Sequence, residues 1–182
     1  MDLDINYCSV CGGATALQVP PGDTALRKVC PHCGAIHYRN PKMVVGTLPV
    51  WQEQVLLCRR AIEPRHGLWT LPAGFMELGE SVEQGALRET REEANTQPLL
   101  DGLYTLISAP DIGQVMMFFR ARLQAPEFSP GVETLETRLF REEEIPWEQL
   151  AFRSVEFTLK AFFADRRRGA FGLHSHEIRH PR

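Results

Sequence analysis

The chain has 182 residues, 43% of them hydrophobic, and a formal net charge of −3 at pH 7. This length predicts one ordinary domain and a small additional module, with enough apolar content for a sizeable core. The small net charge gives no global basic field pointing to nucleic acid, and no apolar run approaches the length of a membrane span. The acidic first residues lack the features of a signal peptide. We therefore expect a cytoplasmic protein with reduced cysteines and no membrane partner, and nucleic acid is not expected as a partner.

Two cysteine pairs characterise the first 40 residues. Cys8 and Cys11 form one Cys-x-x-Cys pair, and Cys30 and Cys33 form the other. The spacing is typical of a structural zinc site, in which four thiolates surround Zn²⁺ and leave no open position for catalysis. Zinc binding would stabilise a module too small for its own core. Two disulfides or a redox pair are the alternatives. The pattern resembles a zinc ribbon, which we assign to residues 1–40.

A β-hairpin is predicted after Pro41. Residues 42–51 and 54–60 are rich in aliphatic side chains and are separated by a short polar turn. Arg59 and Arg60 end the second strand. Either arginine is a candidate phosphate contact, and a solvent-exposed role is the alternative for both.

Residues 68–96 predict a turn followed by a helix. The turn falls at residues 72–74. Ser81 is a suitable N-cap, and Gln84 three residues later completes a capping box. Asn95 is a plausible C-terminal stop, because asparagine tolerates the left-handed conformation.

This helix carries three glutamates on one face. Glu89, Glu92 and Glu93 occupy positions i, i+3 and i+4, so their carboxylates lie together and repel one another. A hard divalent cation among them would convert that repulsion into attraction. Mg²⁺ prefers oxygen ligands and usually retains waters and substrate phosphates. From the cluster alone, a solvated acidic face is the alternative.

The remaining elements are strands and one further helix. Residues 100–108, 114–123 and 133–140 predict strands, and residues 153–168 predict an amphipathic helix. Residues 171–182, which include His174, His176 and His180, are expected to form a mobile tail. The order of strands and helices indicates an α+β fold with a mixed sheet between helices.

Six residues of the turn and helix follow the order Gly-x5-Glu-x7-Arg-Glu-x-x-Glu-Glu. They are Gly74, Glu80, Arg88, Glu89, Glu92 and Glu93. The pattern resembles the signature of the Nudix hydrolases, which cleave a nucleoside diphosphate linked to another group. The resemblance implies an α/β/α sandwich over residues 41–170. Thr90 departs from the pattern, since the family usually has an aliphatic residue there.

The resemblance also implies roles for these residues. Glu89 and Glu93 would be the principal ligands of Mg²⁺ or Mn²⁺, Glu92 would bridge or orient, and the carbonyl of Ala73 would join the shell. Glu80 and Arg88 would hold the turn, with Gly74, against the helix. A later glutamate often completes the set, and Glu136 is our candidate with Glu133 in reserve. The catalytic carboxylates would then be Glu92, Glu93 and Glu136.

Resemblance to particular branches of the family indicates the class of substrate. A zinc ribbon before the signature resembles the NADH pyrophosphatases, but their Ser-Gln-Pro-Trp-Pro-Phe-Pro element is replaced here at residues 108–115. The ending at residues 139–147 is closer to a shorter branch associated with ADP-ribose and FAD pyrophosphatases. We therefore predict Mg²⁺-dependent hydrolysis of ADP-ribose or FAD, releasing AMP. An NADH pyrophosphatase, a nucleoside triphosphatase and a non-catalytic nucleotide sensor are the alternatives. Family analogy favours a homodimer.

Overall fold

Two compact units make up the structure, divided between Asn40 and Pro41. The structure is a computed structural model and describes residues 5–179. Each unit has a sheet of its own. The two units are therefore described separately.

The first unit is a small three-stranded antiparallel sheet with two cysteine turns. Its strands are β1 (Ala16–Gln18), β2 (Arg27–Val29) and β3 (Ile36–His37). The amide of Cys8 donates to the carbonyl of Gly13 at 2.7 Å, and the amide of Cys30 donates to the carbonyl of Ala35 at 2.8 Å. These bonds close the two turns and direct the cysteine side chains toward one another. Strands this short bury little apolar surface, so the unit depends on another source of stability.

The second unit is built on an eight-stranded mixed sheet with two helices. Its strand order is β10-β5-β4-β9-β8-β11, with β6 added to β5 and β7 added to β4. The pairs β4–β9 and β8–β11 are parallel. The elements are β4 (Lys42–Trp51), β5 (Gln54–Arg60), β6 (Trp69–Thr70), β7 (Ala73–Phe75), α1 (Val82–Ala94), β8 (Leu99–Ala109), β9 (Gln114–Arg122), β10 (Thr134–Phe140), α2 (Arg153–Arg168) and β11 (His174–Glu177).

The two helices cover opposite faces of this sheet. Because side chains alternate along a strand, Val45 of β4 packs with Ala86 of α1, whereas Leu48 packs with Leu159 of α2. The predicted α+β sandwich with a mixed sheet is thus confirmed. Neither helix within residues 5–179 is long and apolar enough to cross a membrane.

Both predicted ends of α1 are present. The Ser81 hydroxyl accepts from the amide of Gln84 at 3.3 Å, and the Gln84 side chain accepts from the Ser81 amide at 2.8 Å. Asn95 ends the helix with φ 47° and ψ 37°, in the left-handed region. Its side-chain amide also donates to the carbonyls of Ser129 and Pro130. Asparagine therefore serves as the cap and additionally anchors the loop before β10, which glycine could not do.

The C-terminal segment differs from the prediction of a mobile tail at residues 171–182. Residues His174–Glu177 form β11, which pairs in parallel with β8 at the edge of the sheet. Ile178 is buried in the core. The polar stretch His-Ser-His-Glu has no apolar alternation, so periodicity does not predict this strand, which forms by pairing with β8. The third tail histidine, His180, lies outside the described residues.

A buried carboxylate explains why this segment stays on the sheet. Asp165 of α2 is 1% exposed and accepts hydrogen bonds from the Tyr104 hydroxyl at 2.9 Å and from Nε2 of His174 at 2.7 Å. The hydrogen bonds of His174, Arg168 and Tyr104 outweigh burial and lower the pKa of Asp165. The segment thus adds a hydrogen bond to a buried charge, which is costly to leave incompletely satisfied.

Candidate active site

The turn at Pro72–Gly74 and helix α1 meet on strand β4. Strand β7 pairs with β4 so that Ala73 lies opposite Gly46 and Gly74 lies opposite Val45. A Cβ atom at Gly46 would overlap Ala73, and one at Gly74 would overlap the carboxylate of Glu89. Both glycines are needed because the backbone and a carboxylate approach closely here. Glu89 therefore lies directly against the turn.

Arg88 connects the helix to the turn. Its guanidinium donates to both carboxylate oxygens of Glu80, at 3.0 and 2.9 Å, and to the carbonyl of Phe75 at 3.1 Å. The hydrogen bond from Arg88 lowers the pKa of Glu80 to about 2. A bidentate pair of this kind has a defined geometry as well as charge attraction. Glu80 and Arg88 are thus placed to hold the turn against the helix.

The same guanidinium lies between two of the signature glutamates. Nη1 of Arg88 donates to Glu89 at 2.7 Å and to Glu92 at 3.1 Å. The Glu89 side chain is 12% exposed, whereas that of Glu92 is 57% exposed. Burial raises the pKa of Glu89, against the opposing effect of Arg88. The site between Glu89 and Glu92 is therefore one that favours a positive charge, here that of the Arg88 guanidinium.

Glu93 is the buried member of the set. The residue is 8% exposed, and its Oε2 atom has no hydrogen-bond partner among the described residues. Burial raises its pKa to about 8, with a further contribution from the charge of Glu89, while a backbone hydrogen bond to Ala73 acts in the opposite direction. A buried carboxylate oxygen without a partner is costly. An unpaired oxygen of this kind indicates a binding site for a ligand that the chain itself does not supply.

These carboxylates suit a hard divalent cation. Their oxygens are the ligands that Mg²⁺ and Mn²⁺ prefer, the Oε2 atom of Glu93 needs a partner, and Ala73 contacts Glu93 through its backbone. Within residues 5–179, only the four cysteines bring three or more ligand atoms of His, Cys, Asp or Glu within 4.8 Å of one another. The carboxylate oxygens of the glutamates are thus farther apart than the ligand atoms of a complete metal coordination shell. Waters and substrate phosphates would complete the coordination.

The structure does not bring Glu136 into this group. Glu136 lies on β10 opposite Arg59, and its carboxylate is 3.8 Å from the Arg59 guanidinium. The strand register is interrupted between Thr134 and Glu136, so alternation along β10 could not be read from the sequence. The reserve candidate, Glu133, is instead one of the charges that raise the pKa of Glu93.

The two candidate arginines make different contacts. Arg59 donates to the carbonyl of Gly67 at 2.9 Å and lies near Glu136. Arg60 donates through Nε to the carbonyl of Pro64 at 2.9 Å, and its guanidinium lies 5.2 Å from the centre of the Phe152 ring. The charge of Arg60 lowers the pKa of Glu93. Arg60 is therefore within electrostatic reach of Glu93.

The loop before β10 also belongs to the site, and sequence reasoning missed it. The amide of Ser129 donates to the carbonyl of Ala94, and the amide of Gly131 donates to the carbonyl of Glu93, both at 3.0 Å. A Cβ atom at Gly131 would overlap the backbone of Glu92. The loop thus covers the C-terminal end of α1. Its only sequence signal was a glycine after a proline, which predicts a turn but no partner.

In the absence of metal, the free energy of unfolding should depend on pH because of the titration of Glu93. The ordinary pKa of 4.5 applies to the unfolded chain, whereas the folded value is about 8. Between these values the folded state binds more protons than the unfolded state, so the free energy of unfolding should fall as pH rises from about 4.5 to 8. Urea unfolding in EDTA at a series of pH values measures this slope. Glu93→Gln should reduce the slope in that window, and an unchanged slope would exclude Glu93 as its source.

The cysteine cluster has the dimensions of a zinc site. The Sγ atoms of Cys8 and Cys33 are 3.6 Å apart, and those of Cys11 and Cys30 are 3.5 Å apart. A regular tetrahedron with Zn–S bonds of about 2.3 Å requires sulfur atoms about 3.8 Å apart. All four cysteines are free thiols, so the structure has no disulfides at these positions. The spacing of these thiols is thus close to that of a structural zinc site.

Models of known protein families match both units of the chain. The NUDIX domain family matches residues 40–161, and the zinc-ribbon family described as Nudix N-terminal matches residues 6–39. The chain therefore belongs to the Nudix hydrolase family and carries that family's N-terminal zinc ribbon. A crystal structure of a NUDIX hydrolase from Nitrosomonas europaea has a TM-score of 0.93 and 50% identity, covering 97% of this chain and 100% of that one.

Two curated relatives have more specific names. The NAD-capped RNA hydrolase NudC of Photobacterium profundum is 33% identical over 134 residues, which are 71% of this chain and 47% of the relative. The ADP-ribose pyrophosphatase of Methanocaldococcus jannaschii is 35% identical over 74 residues, which are 41% of this chain and 44% of the relative. The chain thus spans about half the length of the curated relatives it matches.

Proposed function

We propose that this protein hydrolyses the diphosphate linkage of a nucleoside diphosphate derivative, with ADP-ribose or FAD as the expected substrate and AMP as a product. The observation that carries the proposal is the buried Glu93 carboxylate, which has an unpaired oxygen beside Glu89 and the Ala73–Gly74 turn. Arg88 offsets only part of the repulsion among the three carboxylates, since it donates to Glu89 and Glu92. Their clustering becomes favourable when a divalent cation is bound among them.

The proposed cation is Mg²⁺ or Mn²⁺, held by Glu89 and Glu93 with Glu92 on the solvent side. When bound, the metal would neutralise diphosphate charge and lower the pKa of a water molecule. The chain's own contribution is to orient the substrate and accept a proton. In the absence of metal, burial raises the pKa of Glu93 to about 8, and a cation bound beside it would favour the charged carboxylate.

Glu133 and Arg60 are the other residues that we place at the site. Glu133 replaces Glu136 as the proposed additional carboxylate, because its charge acts on Glu93. Arg60 is the proposed contact for a substrate phosphate. Its Nε atom is already bonded to Pro64, and no ion pair to an acidic side chain within residues 5–179 involves it, which leaves the outer nitrogens for a phosphate.

A second candidate substrate is an NAD derivative, including the NAD cap of an RNA. It is favoured by the name of the relative from Photobacterium profundum. Against it, residues 110–112 form a single short 3-10 turn between β8 and β9, where the NADH-cleaving branch carries its proline-rich element. The expectation that nucleic acid is not a partner therefore stays a prediction, as do the homodimer and the cytoplasmic location.

The test is a panel of substrates with the products identified. ADP-ribose, FAD, NADH, an NAD-capped RNA oligonucleotide and nucleoside triphosphates are incubated with the protein in Mg²⁺ or in EDTA. We expect AMP from ADP-ribose or FAD in Mg²⁺ and none in EDTA. Binding without cleavage of any compound would instead identify a nucleotide sensor, and release of diphosphate from triphosphates would identify a different Nudix reaction.

A further inference from the structure

One pair of buried hydroxyls joins each helix to the sheet. On the α1 face the Oγ1 atoms of Thr47 and Thr90 are 2.6 Å apart, and on the α2 face those of Thr105 and Thr158 are 3.0 Å apart. All four threonines have 0% exposure. Each pair links the middle of a strand to the middle of a helix. The same threonine–threonine hydrogen bond between strand and helix therefore occurs twice, once beside the candidate active site and once on the opposite face of the sheet.

The direction of each hydrogen bond follows from the second contact of the helix threonine. Thr90 donates to the carbonyl of Ala86 at 2.7 Å, and Thr158 donates to the carbonyl of Ser154 at 2.8 Å. Since a hydroxyl has one proton, each helix threonine must accept from the strand threonine that faces it. Loss of the helix hydroxyl would leave a buried donor on the strand without its partner. Loss of the strand hydroxyl would leave the helix hydroxyl still bonded.

Thr47 lies where the two halves of the candidate site meet. Its amide donates to the carbonyl of Pro72 at 3.1 Å, immediately before Ala73. Its hydroxyl binds Thr90, which stands between Glu89 and Glu93 in the sequence. One residue of β4 therefore bonds both to the turn that carries Ala73 and to the helix that carries the glutamates.

We propose that Thr47 and Thr90 are positioning residues that set the distance between the carboxylates of α1 and the turn at Pro72–Gly74. The inference rests on the proposed function, because it concerns the same cation site. Apolar contacts such as that between Val45 and Ala86 are not directional, whereas a hydrogen bond defines both distance and angle. An aliphatic residue at position 90, usual in the family, would pack without this constraint.

The test compares Thr90→Val with Thr158→Val, which removes the matching acceptor on the other helix. Both substitutions leave a buried strand hydroxyl without its partner, so we expect comparable decreases in melting temperature of a few degrees. Only Thr90→Val should change the site. We expect about tenfold weaker Mn²⁺ binding by calorimetry and about tenfold lower kcat on the substrate found in the panel. Thr90→Ser should restore both values.

A double variant separates positioning from stability. Thr47→Val with Thr90→Val removes donor and acceptor together, so the melting temperature should recover toward that of the unsubstituted protein. Mn²⁺ binding should stay weak, because the directional contact is still absent. If Mn²⁺ affinity recovers with stability, or if Thr158→Val weakens it equally, the positioning role is wrong while the proposed hydrolysis stands. If the unsubstituted protein neither binds Mn²⁺ nor cleaves any substrate of the panel, the proposed function is wrong and this inference with it.

Discussion

Replacement of Glu93 by glutamine should reduce kcat by about 10²–10⁴ and leave the fold intact. The glutamine has nearly the same shape, but it carries no charge and cannot accept a proton as the carboxylate does. The residue is 8% exposed and has one oxygen without a hydrogen-bond partner among the described residues. Glutamine also avoids the cost of burying a carboxyl group that is ionised in the unfolded chain at neutral pH, so we expect no loss of stability there.

The measurement is the rate of AMP release in Mg²⁺, together with far-ultraviolet circular dichroism and the melting temperature. Glu83→Gln is the matched control, because Glu83 lies on the same helix in its exposed first turn. It should leave kcat close to that of the unsubstituted protein. Activity of Glu93→Gln near the unsubstituted level would refute the assignment of this carboxylate and the mechanism built on it.

Loss of one zinc ligand should unfold the first unit. Cys30 is fully buried, and its Sγ lies 3.5 Å from that of Cys11. The short strands of this unit bury few apolar side chains, so metal binding worth about 10–16 kcal/mol would be its main source of stability. Cys30→Ser removes one of four thiolates, and the remaining three cannot close the tetrahedron.

Elemental analysis should find one zinc ion per chain in the unsubstituted protein and little or none in Cys30→Ser. Hydrogen exchange should show loss of amide protection within residues 6–39 and retained protection in the sheet of the second unit. Cys58→Ala is the control, because Cys58 is a buried cysteine of β5 outside the cluster. If Cys30→Ser keeps protected amides in the first unit after its zinc is lost, metal binding is not what holds that unit together.

The local features of the site could be read from the sequence because each depends on residues close together in the chain. The capping box of Ser81 and Gln84 and the left-handed stop at Asn95 involve contacts over a few residues. The placement of three glutamates on one helical face follows from the helical repeat alone. The four cysteines were likewise recognisable from two short spacings.

Features that join distant parts of the chain were not readable. The sequence alone favours Glu136 over Glu133 as an additional ligand, whereas the register shift in β10 places Glu136 opposite Arg59. The sequence predicts a mobile tail, whereas the edge of β8 and the carboxylate of Asp165 hold residues His174–Glu177 as β11. In each case the deciding partner lies on an element far away in sequence.

Local spacing and hydrophobic periodicity are enough to predict the Nudix signature, the caps of its helix, the four-cysteine cluster and most of the strands and helices. The folded chain is needed to show that Glu93 is the buried carboxylate, that Glu133 lies within electrostatic reach of it, and that Thr47 links the turn to the helix. Burial, charge–charge interaction and hydrogen bonding across strands act between residues that only the folded chain brings together.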